Sequence, residues 1–521
     1  MDVPGNAGQS YAWRALDLFE KYGDEEAIVS GSDRVSYTEL RAGVRQMVDS
    51  LLAQGLGPGS AIGVLVGNPY EALYLQFGAH LLGCRTSWIA WNAPEAYQVD
   101  FLRLAQVDAF VYDPRMHAAL GERVARAVPE LPAFCLGPGG VGPDLLAAGA
   151  DGTVAELPVV TTEPESLFQT GGTTGRPKLV HHGHSFFQSL LALSEAYLAA
   201  GEPRLRHLAL TGFWHVSGQV PALMTLFTGG TFYPEEYFDA GDVLSVIERE
   251  RITSVLFTPP LFYLVLDHPK LAETDTSSLD MVSVSGSATA PARLAQGIER
   301  LGPVLRLTYG STESAFITAL PRLGSEPGHA ALMGSCGQPY GDMRIEIRND
   351  AGEVLPPGET GEVWTSGGLN MLGYWGDPEL TAQTLVDGWI RTGDVGYLNA
   401  DGYLFLVDRV RDIIITGWGS TNVYSRPIED VLLSHPHVRA AAVVGVPDDK
   451  WGEAVKAIVV RRPDSNVDEQ TLIAFAREQL AGYKLPKSVD FQEVLPRNPS
   501  GKLLKRELRA PFWAGNQRQV G

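Results

Sequence analysis

The sequence predicts an α/β fold. A large N-terminal domain of layered α/β sheets is followed by an appended antiparallel β part and then a small α+β domain. Residues 34–160 and again 243–307 alternate short apolar runs with stretches of helical apolar spacing. Residues 344–407 break into short alternating stretches separated by Gly- and Asp-containing turns. Beyond Arg411 a helix, two strands and a second helix are expected. The domain boundary is placed at residues 408–412, giving an N-terminal domain over 1–408 and a C-terminal one over 409–521.

Each element has a local reason. Residues 37–54 carry Leu40, Val44, Met47 and Leu51 on one helical face. Residues 61–66 and 109–112 are buried-strand runs, with a helix over 71–84 between them. Residues 136–152 are rich in Gly and Pro and read as a surface connection. Further on, residues 243–249 are helical, 252–257 a strand, and Thr258-Pro259-Pro260 a stop. Strands at 281–285 and 304–307, separated by a helix over 292–300, run into Gly286-Ser287-Ala288 and Thr308-Tyr309-Gly310-Ser311-Thr312-Glu313. Ligands of open α/β sheets bind at the carboxyl ends of strands, where these two loops lie. In the C-terminal part, helices over 428–433 and 468–480 flank strands at 439–444 and 455–460.

Composition narrows the function classes. The chain has 521 residues, 45% of them hydrophobic, and a formal net charge of −20. So acidic a chain argues against a nucleic-acid partner and makes any basic cluster informative. No run approaches the ~18 apolar residues of a membrane span, and residues 1–10 show no secretory signal. The three cysteines, Cys84, Cys135 and Cys336, fit a reduced, cytoplasmic protein.

The stretch Gln169-Thr170-Gly171-Gly172-Thr173-Thr174-Gly175-Arg176-Pro177-Lys178 follows a strand candidate, Ser166-Leu167-Phe168, and precedes helical spacing over 185–198. Strand, glycine- and hydroxyl-rich loop, then helix is the arrangement of a polyphosphate cradle. Glycines let backbone N–H groups close around an anion, threonines add donors and Lys178 adds a point charge. It is not the P-loop of kinases and GTPases, in which Gly directly precedes the Lys and Ser or Thr follows. A flexible surface turn would have the same composition.

Other motifs carry chemistry by residue type. Tyr309 could stack on a base, and Glu313 could hold Mg²⁺ bridging phosphates. A strand-end turn with a solvated Glu is the alternative. Asp394, closing Asp387-Gly388-Trp389-Ile390-Arg391-Thr392-Gly393-Asp394, could accept ribose hydroxyls, or be an ordinary turn Asp. In Leu495-Pro496-Arg497-Asn498-Pro499-Ser500-Gly501-Lys502 a rigid loop presents Lys502. With Arg497, Lys505, Arg506 and Arg509 it forms a basic cluster pointing to an anion, or a solubilising tail. His181, His182, His184 and His215 lack a complementary Cys, Asp or Glu at ligand spacing, so no metal site is expected from them.

Taken in order, the phosphate loop, Tyr309 to Glu313, Thr392-Gly393-Asp394, Asp408-Arg409-Val410-Arg411-Asp412 and Pro499-Ser500-Gly501-Lys502 resemble the adenylate-forming superfamily. That superfamily includes acyl- and aryl-CoA synthetases, firefly luciferase and nonribosomal peptide adenylation domains. The resemblance extends from Tyr37 to Leu508 and is nearest in look to fatty-acid and aryl-acid CoA ligases, through Gly361-Glu362-Val363, Gly373-Tyr374-Trp375 and the Trp389 segment.

The resemblance implies an ATP-dependent, AMP-forming ligase. A carboxylate attacks the α-phosphate of ATP, pyrophosphate leaves, the small C-terminal domain rotates, and a thiol, usually of CoA, displaces AMP. By motif, Thr170, Gly171, Gly172, Thr173, Thr174, Gly175 and Lys178 would hold the β- and γ-phosphates. Tyr309 would stack on adenine within Thr308, Gly310 and Ser311, with Gly286, Ser287 and Ala288 on its other side. Thr312 and Glu313 would serve phosphate and Mg²⁺, and Asp394 and Arg409 the ribose. Arg411 would sit at the hinge, Lys502 would bridge carboxylate and α-phosphate, and His215 would border the acid pocket.

One segment departs from the family. Trp418-Gly419-Ser420-Thr421-Asn422-Val423-Tyr424-Ser425-Arg426-Pro427-Ile428-Glu429 is two residues longer than usual, with Ser425 at the usual Pro and Pro427 at a usual Glu. That leaves the acceptor open: CoA, a carrier-protein thiol, or an amine, including nitrite-dependent diazotisation of an aryl amine as in secondary metabolism. A harmless loop insertion is the alternative. Trp214, His215, Phe257, Phe262, Phe316 and Met333 are candidate walls for an aromatic or medium-length apolar small-molecule acid. Nothing in the sequence sets the oligomeric state.

Overall fold

The computed structural model describes residues 10–147, 160–170, 177–287, 289–324, 329–416, 421–448, 450–480, 482–497 and 502–514. Two large sheets organise the N-terminal part. One has seven strands around a parallel core, in which Ala61–Leu65 pairs with both Arg85–Trp88 and Ala109–Tyr112. Ala61–Leu65 is buried at every position, as a strand covered on both faces should be. The other sheet has nine strands, with a parallel run from Glu26–Ser30 through Thr231–Pro234, Arg206–Ala209, Ser254–Phe257 and Met281–Val284 to Leu305–Tyr309.

Helices pack between the sheets and outside each. The largest core joins Val64 and Phe168 of one sheet to Ile28 and Phe232 of the other through Phe77, Phe187 and Leu223 of intervening helices. On the outer face of the nine-stranded sheet, Val255, Phe257 and Val282 pack against Ile247, Phe262 and Leu294. On the outer face of the seven-stranded sheet, Phe110 and Tyr112 pack against Phe101 and Val124. The helix Tyr37–Ala53 shows how directly sequence sets such an element. Ser36 and Glu39 form a reciprocal capping box, and Leu40, Val44, Met47 and Leu51 are all buried.

The structure corrects two local readings. A strand, Lys178–His182, intervenes between the glycine-rich loop and the helix His184–Ala199, and it pairs antiparallel with Glu165–Thr170. The loop therefore joins a hairpin rather than a strand to a helix. Leu179 and Val180 face different cores, and Gly373–Tyr374 covers the strand's other edge. A strand this short, buried on both faces, shows no alternation to read. Secondly, the strand Ser254–Phe257 stops before Thr258-Pro259-Pro260 as expected, but Pro259 also opens a helix, Pro259–Asp267, that was not expected, because its missing N–H costs nothing at a first helical turn.

Arg344–Arg348, Gly361–Ser366, Trp389–Leu398, Leu385–Val386 and Leu404–Arg409 form the expected antiparallel sheet. A short helical turn, Val410–Asp412, then leads into a smaller α+β unit. There Val438–Asp448 pairs antiparallel with Gly452–Arg461, to which Ser488–Phe491 adds in parallel. Ile428, Leu432 and Leu472 of two helices cover that sheet. Among the described residues no helix is long and apolar enough to cross a membrane.

Candidate active site

The strand ends of the nine-stranded sheet, the hairpin Glu165–Thr170/Lys178–His182 and the C-terminal unit enclose one cavity of about 1990 Å³. Thr170 and Lys178, paired across the hairpin, both line it. Gly171, Gly172, Thr173, Thr174 and Gly175 lie outside the described residues, as does Ala288. The Lys178 ammonium sits 5.6 Å from the centre of the Tyr374 ring, and the Tyr374 hydroxyl donates to Glu313 Oε1 at 2.8 Å. Tyr374 thus links the expected phosphate cation to the expected metal carboxylate. In the sequence, Tyr374 stands out only within the family-like string Gly373-Tyr374-Trp375.

Glu313 is held from several sides. The Met371 N–H donates to its carbonyl at 2.8 Å. The carbonyl of the preceding Thr312 accepts from His182 Nε2 at 2.8 Å. A carbonyl only accepts, so this ring nitrogen carries the proton. Burial lowers the His182 pKa to about 4 and keeps the ring neutral. Gly310 admits no side chain, because a Cβ there would lie 2.1 Å from the Ala315 carbonyl oxygen. Ser285 donates to the Thr308 carbonyl at 3.0 Å, tying the two strand-end loops together. Gly286 turns at φ +89°, the left-handed region that favours glycine. Gly286, Ser287, Thr308, Tyr309, Gly310, Ser311 and Thr312 all line the cavity.

Asp394 joins three elements. Its Oδ2 accepts from the Tyr309 hydroxyl at 2.6 Å, and its Oδ1 lies 3.1 Å from Arg409 Nε. Asp394 and Arg409 are also paired residues of neighbouring strands. Burial and the adjacent Asp394 carboxylate hold the Tyr309 hydroxyl firmly protonated.

Lys502, from the C-terminal unit, enters the same cavity. Its pKa is lowered to about 8, chiefly by burial and then by Arg409, while Asp394, Glu313 and Asp412 pull it back up. His215 borders the cavity as the N-cap of the helix Val216–Phe227, its Nδ1 accepting from the Ser217 N–H at 3.1 Å. Burial first, and Lys502 second, bring its pKa to about 4, so it is neutral with the proton on Nε2. Lys502 and His215 therefore act on one another although 287 residues separate them in sequence, the difference of their numbers.

The other candidates divide. Trp214, Phe316 and Met333 line the cavity. Phe257 and Phe262 do not: they pack in the core behind the sheet. Strand alternation sends Phe257 to the face opposite Leu256, which does line the cavity. The basic cluster is largely spent on internal contacts. Lys505 pairs with Glu429 at 2.8 Å, and Arg509 bonds the Arg411 carbonyl at 3.2 Å and approaches Asp412 at 3.7 Å. His181 pairs with Glu165 at 3.1 Å. Residues 417–420 of the unusual segment lie outside the described residues. Thr421–Val423 pairs antiparallel with Ile414–Thr416, and Ser425 opens the helix Ser425–Ser434.

Comparison with known proteins agrees with this geometry. A family model described as AMP-binding enzyme matches residues 16–375, and one described as AMP-binding enzyme C-terminal domain matches residues 427–502. A feruloyl-CoA synthase from an Amycolatopsis species is 35% identical, over 93% of this chain and 96% of its own length. The amide bond synthetase McbA from Marinactinospora thermotolerans superposes with a TM-score of 0.87 at 35% identity, covering 96% of this chain and 99% of that one. ATP-bound MatB from Rhodopseudomonas palustris superposes with a TM-score of 0.85 at 26% identity, covering 96% and 100%. With both family models matched, this chain belongs to the AMP-binding enzyme family, the adenylate-forming superfamily of ATP-dependent, AMP-forming ligases.

Proposed function

We propose that the chain activates a small-molecule carboxylic acid as its acyl-adenylate and then passes the acyl group to CoA. The observation that carries this reading is the entry of Lys502 into the cavity that holds Asp394, Arg409 and Glu313. In the first step a carboxylate oxygen bonds to the α-phosphorus of ATP. The bond to the β-phosphate bridge breaks, and pyrophosphate leaves with the electron pair. The crowded phosphorus carries extra negative charge in the transition state, and the Lys502 ammonium stabilises it.

The remaining residues take matching roles. Thr170 to Gly175 and Lys178 hold the β- and γ-phosphates. Tyr309 stacks on adenine between Thr308, Gly310 and Ser311 and the Gly286-Ser287-Ala288 turn. Asp394 and Arg409 hold the ribose, Thr312 bonds phosphate, and neutral His215 borders the acid. Glu313 suits Mg²⁺, because Tyr374 occupies one carboxylate oxygen as a donor and leaves the other for a hard cation. When bound, Mg²⁺ would neutralise phosphate charge. Residues 1–408 form the nucleotide- and acid-binding domain. Residues 409–521 form a mobile domain that withdraws Lys502 so that a thiol can attack the acyl carbon and expel AMP. Free Cys84, Cys135 and Cys336 support a cytoplasmic setting.

A second reading, transfer of the acyl group to an amine, is favoured by the likeness to an amide bond synthetase at 35% identity. One screen separates the two. Pyrophosphate release is measured across a panel of acids, and nitrite, each with CoA, with a carrier-protein thiol or with an amine. Acid-dependent release with thioester formation supports the first reading. Amide formation that outpaces thioester formation supports the second. No acid-dependent release would sink both.

A further inference from the structure

The acid end of the cavity has a mixed wall, in which polar residues alternate with Leu256 and Met281. The face of the nine-stranded sheet turned to the cavity can be followed by register. Ser254 lies beside His207 on one side and Met281 on the other. Two residues nearer the nucleotide, Ser283 lies between Leu256 and Arg306. Thr308 follows Arg306 on the same face. His207, Ser254, Ser283 and Arg306 all line the cavity. Opposite them, the helix Val216–Phe227 contributes Val220 and Met224.

Arg306 is the anomaly. Its Nε is buried without a hydrogen-bond partner, and among the described residues no carboxylate forms an ion pair with the guanidinium. Glu202 and Asp280 act on Tyr197, as Arg306 does, but Asp280 is paired with Arg322 at 2.6 Å. Ser283, next to Arg306 in register, is a buried residue that lines the same cavity. A guanidinium in a partly buried wall costs free energy unless an anion meets it. Its planar fork suits a carboxylate, bound through two parallel hydrogen bonds.

We propose that Arg306, with Ser283 beside it, binds a second carboxylate at the far end of the acid, so that the preferred substrates are dicarboxylic acids. The proposal rests on the adenylation reading and names the substrate class of that site. Arg306 lies two strand residues before Thr308 on the same face, so its Cα is about 7 Å further from the nucleotide loop. Trp214 and Phe316 line the cavity with an aromatic surface, and an aryl or short alkyl spacer fits there.

The test measures adenylation by pyrophosphate release with hydroxylamine trapping, which needs no natural acceptor. The probes are 4-carboxycinnamate and α,ω-dicarboxylic acids of increasing length, each matched with its monomethyl ester, plus cinnamate and medium-chain monocarboxylates. For at least one pair the wild-type enzyme is expected to favour the diacid in kcat/KM by about 10-fold or more, the worth of a charged hydrogen bond. Arg306→Met should abolish that preference, lowering kcat/KM for the diacid by about 10-fold more than for its ester. Arg306→Lys should restore part of it. Turnover of monoacids and esters with no diacid preferred overturns the proposal and leaves the adenylation reading intact. So does an Arg306→Met enzyme of unchanged Tm that loses diacid and ester equally. No pyrophosphate release with any acid overturns both.

Discussion

The Asp408 carboxylate accepts hydrogen bonds from both the backbone N–H and the hydroxyl of Ser425, the hydroxyl at 2.8 Å. Asp408 is the last residue but one of the strand Leu404–Arg409, and Ser425 opens the helix Ser425–Ser434 of the C-terminal unit. Lys505 donates to the same hydroxyl and pairs with Glu429 at 2.8 Å. The Asp408–Ser425 bonds span the connecting turn Val410–Asp412, and Lys505 braces Ser425 from within the C-terminal unit. They hold the C-terminal unit in the orientation that puts Lys502 in the cavity.

A proline at Ser425, the usual family residue by resemblance, would remove both donors. Hydrogen bonds to a charged acceptor are each worth about 1.5–3 kcal/mol. Ser425→Pro is therefore expected to slow acid-dependent ATP–pyrophosphate exchange by about 10-fold. Acyl transfer from supplied acyl-adenylate should be unchanged or faster. Exchange at the wild-type rate, or slowing of both half-reactions alike, would refute a latch at this position.

Lys502 acts as a cation, and its pKa near 8 makes it a pH-dependent one. The charged form is present below that value and is lost as pH rises through it. In the free enzyme this sets an alkaline limb, so kcat/KM for ATP should fall above about pH 8, as the pKa of a free-enzyme group is read there. Lys502→Arg should move that limb out of the assay range, because arginine stays charged. Lys502→Ala should lower adenylation by at least about 10²-fold. A flat alkaline profile, or near-normal exchange by the alanine variant, would remove Lys502 from the first step. His215, neutral above about pH 4, should contribute no limb between pH 5 and 8.

The Tyr309 hydroxyl occupies one oxygen of Asp394, the carboxylate proposed to take the ribose hydroxyls. Asp394→Ala should raise the Kd for ATP by about 10-fold or more, through loss of charged acceptors. Tyr309→Phe keeps the ring and frees the carboxylate, and should leave Kd within about threefold, less than one ordinary hydrogen bond. Calorimetric titration with a non-hydrolysable ATP analogue reads both. Equal losses in the two variants would mean that the hydroxyl itself holds nucleotide.

Much of the scaffold was legible because its causes are local. The helix over 37–53 follows from a capping box and an apolar stripe, and the strand over 109–112 from an uninterrupted apolar run. The site motifs were legible as short strings, since loops that bind anions need glycine, threonine and lysine in close succession. Illegible from sequence were the relations between strings. Lys178 lies on a strand that pairs with Glu165–Thr170 along one edge and, at Val180 and His181, with Gly373–Tyr374 from far along the chain along the other. Tyr374 meets Glu313 and Lys178 through that second pairing.

Sequence by itself determined the fold class, the order of the motifs and the family they resemble. Tertiary structure decided which side chains share the cavity. Strand alternation hides Phe257 in the core and turns Ser283 and Arg306 to the cavity, and the face toward which an alternating strand turns depends on what packs there. The pKa of Lys502 is likewise set by Arg409, Asp394 and Glu313, brought beside it by packing. Burial and charge proximity are properties of neighbours in space, and only the folded chain supplies them.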